Sequence, residues 1–381
     1  MKTPHVVVVG GGTGGTLLAN LVHRQLRDRA RITVVSATVQ HVYQPGWLYV
    51  PFGREDARNL TRPERELLQD GIDLVHGEVR EWTPGTRRVV LADGQVLEAD
   101  HLVLATGSQV APEDVPGLAE GAHHFYTHEA SQRLYAALQE FDGGTVVVGV
   151  GGLPYKCPVA PLEFTFLLED HLGRQGLRER TKIVYTFPIG RCFTIESVAE
   201  VAQRFLDDRD IAVETFFNLE RIDPERRVAC SLEGSELAYD LCVMIPPHRG
   251  AKFLQGHPAA DSRGWVKTDR ESLRVAGTER VWAIGDTTDL PISKAGSTAH
   301  FEAPVVAEQI IAAVEGRDPD PKKAVYGGHV MCFLEVGHGK ATILDFDYSG
   351  PPDPKTPNAL MHYLKMAFNK AYFQLVPTGW V

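Results

Sequence analysis

The chain has 381 residues, 43% hydrophobic and 23% charged. That is an ordinary globular composition, long enough for two to three domains at roughly 150 residues each. Its 39 Lys and Arg against 49 Asp and Glu leave a net charge of −10, which argues against nucleic acid as a partner, because phosphate neutralisation needs a basic surface.

The chain opens on Met1-Lys2-Thr3-Pro4-His5 and passes straight into an apolar run at 6–9, with no small-residue cleavage site. No stretch approaches the ~20 apolar residues of a membrane-spanning helix, so the cytoplasm is expected, with a membrane surface still open. Residues 6–9 read as a strand buried on both faces, 16–27 as a helix and 31–35 as a second strand. Together they form a βαβ unit. A further apolar strand at 101–105 runs into Thr106-Gly107.

The pattern then repeats. A strand at 145–148 enters Gly149-Val150-Gly151-Gly152, and a helix at 161–172 and a strand at 182–187 complete a second unit. A last strand at 280–284 leads into Gly285-Asp286, and a proline-rich break at 351–357 precedes an apolar segment at 359–376. The expected fold class is α/β, with two tandem Rossmann-like dinucleotide-binding domains and a C-terminal amphipathic, membrane-associating segment. The expected divisions are a first dinucleotide-binding part at 1–110, a second unit at 111–280, a return to the first at 281–320, and a C-terminal region at 321–381.

Gly10, Gly12 and Gly15 occupy the three glycine positions of G-x-G-x-x-G between a strand and a helix. There the first permits a tight turn, the second lets backbone amides approach a pyrophosphate, and the third packs helix on strand. The helix N-terminus faces the phosphates with its positive end. The second strand departs from the pattern, ending in Ser36 where an acidic residue would hold the ribose, so one hydrogen bond from Ser36 replaces a charge. The second glycine cluster has Pro154 at its third position, followed by Tyr155, so this unit reads as scaffold degenerate for NAD(P).

Five cysteines, an odd number over a long chain, do not make a secreted disulfide framework. Cys230 and Cys242 lie in strand-like apolar contexts and read as packing residues. Cys192 reads as packing too, with a substrate-channel role as the alternative. The 15 histidines show no metal-ligand spacing, and no metal is expected.

Two motifs and two cysteine segments make the resemblance specific. Val281-Trp282-Ala283-Ile284-Gly285-Asp286 resembles the second FAD fingerprint of two-dinucleotide-binding-domain flavoproteins, and Ala105-Thr106-Gly107 their middle motif. Tyr155-Lys156-Cys157-Pro158-Val159-Ala160-Pro161-Leu162-Glu163 and Met331-Cys332-Phe333-Leu334-Glu335-Val336-Gly337 resemble the redox-cysteine segments of the sulfide:quinone oxidoreductase family and the related flavocytochrome c sulfide dehydrogenases. The likeness runs over essentially the whole chain.

The resemblance implies FAD held near Gly10, Gly12, Gly15, Ala105, Thr106, Gly107, Gly285 and Asp286, with Lys294 at the flavin pyrimidine edge and Val79 at the adenine. It implies catalysis by Cys157 and Cys332, which take sulfur from sulfide and build polysulfide, with electrons passing through FAD to a membrane quinone. Thiol exchange needs thiolates, so an accessible, low-pKa pair is expected. Glu163 is the expected proton carrier. His128 is a second acid/base candidate, with a surface helix start as the alternative. The family's third cysteine, roughly at 123–126, is absent, and with it a flavin link through that residue.

Leu360, Met361, Leu364, Ala367, Phe368 and Ala371 fall on one helical face. With Lys365 and Lys370 beside it, the segment reads as an interfacial helix on the cytoplasmic face of the membrane. Core packing or a homo-oligomer contact are the alternatives. Phe333, Tyr372 and Phe373 are the candidates for lining a quinone entrance. The rival activities are a sulfide dehydrogenase subunit feeding a cytochrome, a type II NADH dehydrogenase, and a flavin redox sensor without turnover.

Overall fold

In the computed structural model, which describes residues 3–83 and 85–380, the βαβ pattern is realised twice. The first unit contributes β1 (His5–Val9), α1 (Thr13–Leu26), β2 (Arg31–Ser36), β3 (Ile72–His76) and β4 (His101–Leu104). The second contributes β5 (Gly144–Val150), α2 (Ala160–Arg174), β6 (Thr181–Phe187), β7 (Ile211–Thr215) and β8 (Leu241–Ile245). The chain then returns through β9 (Val281–Ala283) and α3 (Gly296–Glu315). It finishes with the hairpin β10 (Val330–Glu335) and β11 (Ala341–Phe346) and the helix α4 (Ala359–Leu375).

The first sheet has the parallel order β9-β4-β1-β2-β3, and the second the parallel order β7-β6-β5-β8. Both faces of the first sheet are covered, which explains the unbroken valines of β1. Val6 and Val8 pack with Leu17, Leu18, Val306 and Ile310 on one side. Val7 and Val9 pack with Trp82, Leu254 and Val266 on the other.

A short antiparallel pairing of Gln109–Val110 with His248–Arg249 ties the two crossings between units together. Ala251, Leu254, Ala260, Val266 and Val275 are buried against the first sheet with Val7 and Val9. Residues between β8 and β9 thus pack on the first sheet, although they were expected to belong to the second unit at 111–280.

Asn358 caps α4 by accepting from the Met361 amide at 3.1 Å. The helix turns His362, Lys365, Tyr372 and Phe373 toward the protein, and leaves Leu360, Tyr363 and Leu364 exposed at 62%, 69% and 46%. The apolar face read from the sequence is thus split, with Leu360, Leu364 and Ala367 exposed and Phe368 packed on the protein. No helix among the described residues is long and apolar enough to cross a membrane.

Candidate functional site

Because β9, β4 and β1 are neighbours, the three glycine motifs meet at the C-terminal ends of their strands, where open α/β sheets bind ligands. A Cβ on Gly10 would lie 2.1 Å from the Ala105 carbonyl oxygen, and one on Gly15 1.9 Å from the Gly10 oxygen. Glycine is obligatory at both places. A Cβ on Gly12 would meet nothing within 4 Å, and α1 starts there with no side-chain cap and no acidic residue in its first turn. Its first amides are left to an anion.

The Thr287 hydroxyl accepts from the Gly107 amide at 2.9 Å, and the Ser108 hydroxyl donates to the Asp286 carboxylate at 2.8 Å, joining the other two motifs. These features fit a bound dinucleotide: a bare cradle on β1, and an oriented carboxylate beyond β9.

Ser36 ends β2 beside Gly11, but its hydroxyl donates to the Thr38 carbonyl at 2.8 Å. The expected donation to a ribose is therefore corrected, since that proton is already engaged. Val79 is buried at the start of strand Val79–Trp82, paired with Leu91. Lys294 donates to the carbonyls of Thr288 (2.6 Å) and Asp286 (3.1 Å) and sits 3.9 Å over the Trp265 ring. Burial lowers its pKa, against the pull of Asp286.

The second unit builds its turn differently. In the first, α1 starts four residues after β1 ends; in the second, β5 ends at Val150 and α2 begins at Ala160. The intervening loop carries Cys157 at a left-handed φ of 52°. Its amide donates to the Lys294 carbonyl at 2.6 Å, which pins the cysteine to the β9 side of the dinucleotide cradle. Cys332 arrives from the other end of the chain on β10, its sulfur 3.9 Å from the Ser297 hydroxyl at the start of α3.

Both thiols are half-buried and pack against the same apolar core. Burial pushes the Cys157 thiol far up, reinforced by Cys332 and Glu163 and opposed by Lys365 and the Ala160 amide. Burial pushes Cys332 up to about 11, against the Ser297 hydroxyl. The expected low-pKa pair is corrected: desolvation outweighs the helix N-terminus and the lysine. Cys192 is buried with its thiol donating to the Ala199 carbonyl, and Cys230 and Cys242 are buried in strands.

Glu163, on α2, sits next to this pair and accepts from the Glu335 amide at 2.7 Å and from the Lys365 ammonium. Lys365 also lies 3.8 Å from the Glu335 carboxylate, which accepts from the Tyr49 hydroxyl at 2.7 Å. Burial raises the Glu163 pKa against the pull of Lys365. Burial alone would lower Lys365, but Glu163 and Glu335 outweigh it and hold it raised. Sequence reading placed Lys365 on the surface and passed over Glu335. The signal was the spacing of Lys365 with Tyr372 and Phe373, i, i+7 and i+8, which places them on one helix face.

His128 opens the helix His128–Glu140. The structure does not bring it among the groups that act on the Cys157 thiol. Tyr372 and Phe373 are corrected as entrance residues, because both are buried as anchors of α4. The Tyr372 hydroxyl bonds Thr13 at 2.6 Å and His41 at 2.9 Å, and the buried His41 in turn meets Glu64 at 3.0 Å. Phe373 lies beneath the Arg62 guanidinium. Phe333 is half-buried and alternates with Cys332 along β10, so it points to the opposite side of the hairpin from the cysteine.

A cysteine-bearing loop laid against a dinucleotide cradle, over two parallel-sheet units, is the architecture of the two-dinucleotide-binding-domain flavoproteins. The profile of the pyridine nucleotide-disulphide oxidoreductases matches residues 4–315, and the chain belongs to that family of flavin-dependent oxidoreductases. It is similar to the mitochondrial sulfide:quinone oxidoreductase of Mus musculus, at 26% identity over 91% of this chain and 79% of the relative. The X-ray structure of the Aquifex aeolicus sulfide:quinone oxidoreductase matches with a TM-score of 0.84 and 21% identity, covering 99% of this chain and 92% of that one. NDH2 of Plasmodium falciparum, solved with NADH, shares the fold at a TM-score of 0.67 and 13% identity, over 99% and 98% of the two chains.

Proposed function

We propose that the protein is an FAD-dependent sulfide:quinone oxidoreductase that converts sulfide to polysulfide sulfur and reduces a membrane quinone. The observation that carries this reading is Cys157 tethered through its amide to Lys294, beside the dinucleotide cradle, with Cys332 from the far end of the chain packed against the same apolar core. FAD, when bound, would supply the two-electron carrier between the cysteine pair and quinone. Gly12 and the first turn of α1 would hold its pyrophosphate, and Asp286, oriented by Ser108, would hold its ribityl hydroxyls.

In the oxidised pair, hydrosulfide attacks the disulfide sulfur of Cys332. A persulfide forms there and Cys157 leaves as thiolate, so atoms and charge balance. The amide of Ala160, opening α2, and Lys365 favour that thiolate against the cost of burial. Glu163, held by Lys365 and the Glu335 amide, takes up the persulfide proton as the persulfide and the Cys157 thiolate give up two electrons and join as a trisulfide. Phe333, on the strand face it shares with Glu335, lines the quinone approach. Leu360, Tyr363 and Leu364 rest in the membrane interface with Lys370 at its edge, on the cytoplasmic face.

The long Gly151-to-Ala160 loop argues against NADH as donor, because it moves the helix N-terminus away from the strand end where a pyrophosphate would sit. The test is anaerobic. Sulfide should bleach the flavin band of the loaded protein, quinone but not NAD⁺ should restore it, and Cys157→Ala should abolish the bleaching. Indifference to sulfide with bleaching by NADH would overturn the reading.

A further inference from the structure

The reaction proposed above consumes one solvent proton per turnover, and this inference rests on that reading. Hydrosulfide loses one proton and two electrons as its sulfur becomes sulfane sulfur, while quinone takes up two of each. The proton that Glu163 takes from the persulfide must therefore leave toward solvent or quinone through a cluster in which the side chains of Glu163, Glu335 and Lys365 are 4%, 0% and 10% exposed.

Two branches lead outward from the Glu335 carboxylate. One meets Arg54 at 3.9 Å, and Arg54 pairs with Asp170 at 2.7 Å. A guanidinium does not release its proton in a protein, so this branch cannot conduct. The other meets His362 on α4, whose Nδ1 lies 3.1 Å from Glu335 Oε1, with a side chain 18% exposed. Both of these buried atoms lack an aligned hydrogen-bond partner. A small rotation of the ring closes the gap, and imidazole exchanges protons at both nitrogens. Glu335 is faced by Tyr49, Arg54, His362, Lys365 and, through its own amide, Glu163. Among these, His362 joins solvent contact to a releasable proton.

We propose that His362 and Glu335 form the solvent end of a proton path that continues through Lys365 to Glu163 and the cysteine pair. His362 and Glu335 are positioning and relay residues, since neither touches the sulfur atoms.

The experiment uses the FAD-loaded protein in weakly buffered solution. A pH jump drives proton uptake by Glu163, followed through its carboxyl stretch by time-resolved infrared, so neither sulfide nor quinone enters the readout. His362→Ala should slow uptake about 100-fold, the lower end of what a positioned proton carrier supplies, and free imidazole should restore it. Glu335→Gln, whose amide oxygen can still accept from Tyr49, should slow uptake by a similar factor without rescue. Unchanged uptake in either variant, or a slowing in His362→Ala that imidazole leaves in place, overturns the proposal. Indifference of the loaded protein to sulfide overturns the functional reading instead and leaves this measurement readable.

Discussion

Replacing Lys365 by methionine removes the cation that Glu163 and Glu335 share. The two carboxylates are 4% and 0% exposed, and Lys365 is 10% exposed, so water cannot take over the lost interaction. Breaking a buried pair by removing one partner costs about 3–5 kcal/mol. Arg54, 3.9 Å from Glu335, and the Glu335 amide on Glu163 remain, which favours the lower end.

The loss has a definite pH dependence. Glu163 already sits above its ordinary value of 4.5 through burial, opposed by Lys365, and without the lysine it rises further. A carboxyl with a raised folded pKa binds its proton more tightly in the folded state, so folding gains on acidification and loses as pH rises through the folded pKa. Lys365 is itself raised above 10.5, so its contribution is fully present below that value and lost only as pH rises through its folded pKa.

Urea denaturation should therefore show Lys365→Met losing about 3 kcal/mol near pH 8.5 and clearly less near pH 5.5. Adding Glu163→Gln should return about 1–2 kcal/mol, the coupling between the pair. A loss below about 1 kcal/mol, or an equal loss at both pH values, would refute the claim that the cluster is a buried, charge-balanced unit.

Alkylation of Cys332 in flavin-free protein should quicken about tenfold per pH unit up to the region of its pKa of about 11, because the thiolate is the nucleophile; a plateau near pH 8 would contradict the desolvated thiol. Gly12→Ala should leave stability within about 0.5 kcal/mol but weaken FAD binding tenfold or more, equivalent to about 1.4 kcal/mol. Gly15→Ala should destabilise the fold itself by driving a methyl into the Gly10 carbonyl, and thermal melts with flavin titration separate the two effects. Tyr372→Phe leaves the buried His41 and Thr13 groups without their shared hydroxyl and should cost about 1–3 kcal/mol, with faster amide exchange in α4 and unchanged sulfide reactivity. Leu360→Asp with Leu364→Asp should lower sedimentation with lipid vesicles about tenfold at unchanged stability, since both side chains are exposed; equal sedimentation would remove the membrane role of that face.

The pattern of alternating elements was legible in the sequence because apolar runs and glycine turns are local signals. The valines of β1, the glycines after it and the helix from Thr13 follow from residues within a few positions of one another. Glycine at 10 and 15 was readable for the same reason, and the structure supplies the cause in two carbonyls within 2.1 Å of the would-be methyls. The cysteine segments stood out by their local contexts, 175 positions apart in the chain.

What the tertiary structure alone decided is how distant groups share one environment. No local signal could turn Lys365 inward, since that orientation depends on Glu163 from α2 and Glu335 from β10 converging on it across 202 and 30 positions, respectively. The thiol pKa values rose, against expectation, because desolvation is a property of everything packed around an atom and not of its neighbours in sequence. Tyr372 moved from an imagined entrance to a buried bond with Thr13 because the face of α4 that docks is set by partners 331 and 359 positions away. Sequence sets the period of a helix, but which side of it meets protein depends on the shape and charge of the surface it lands on.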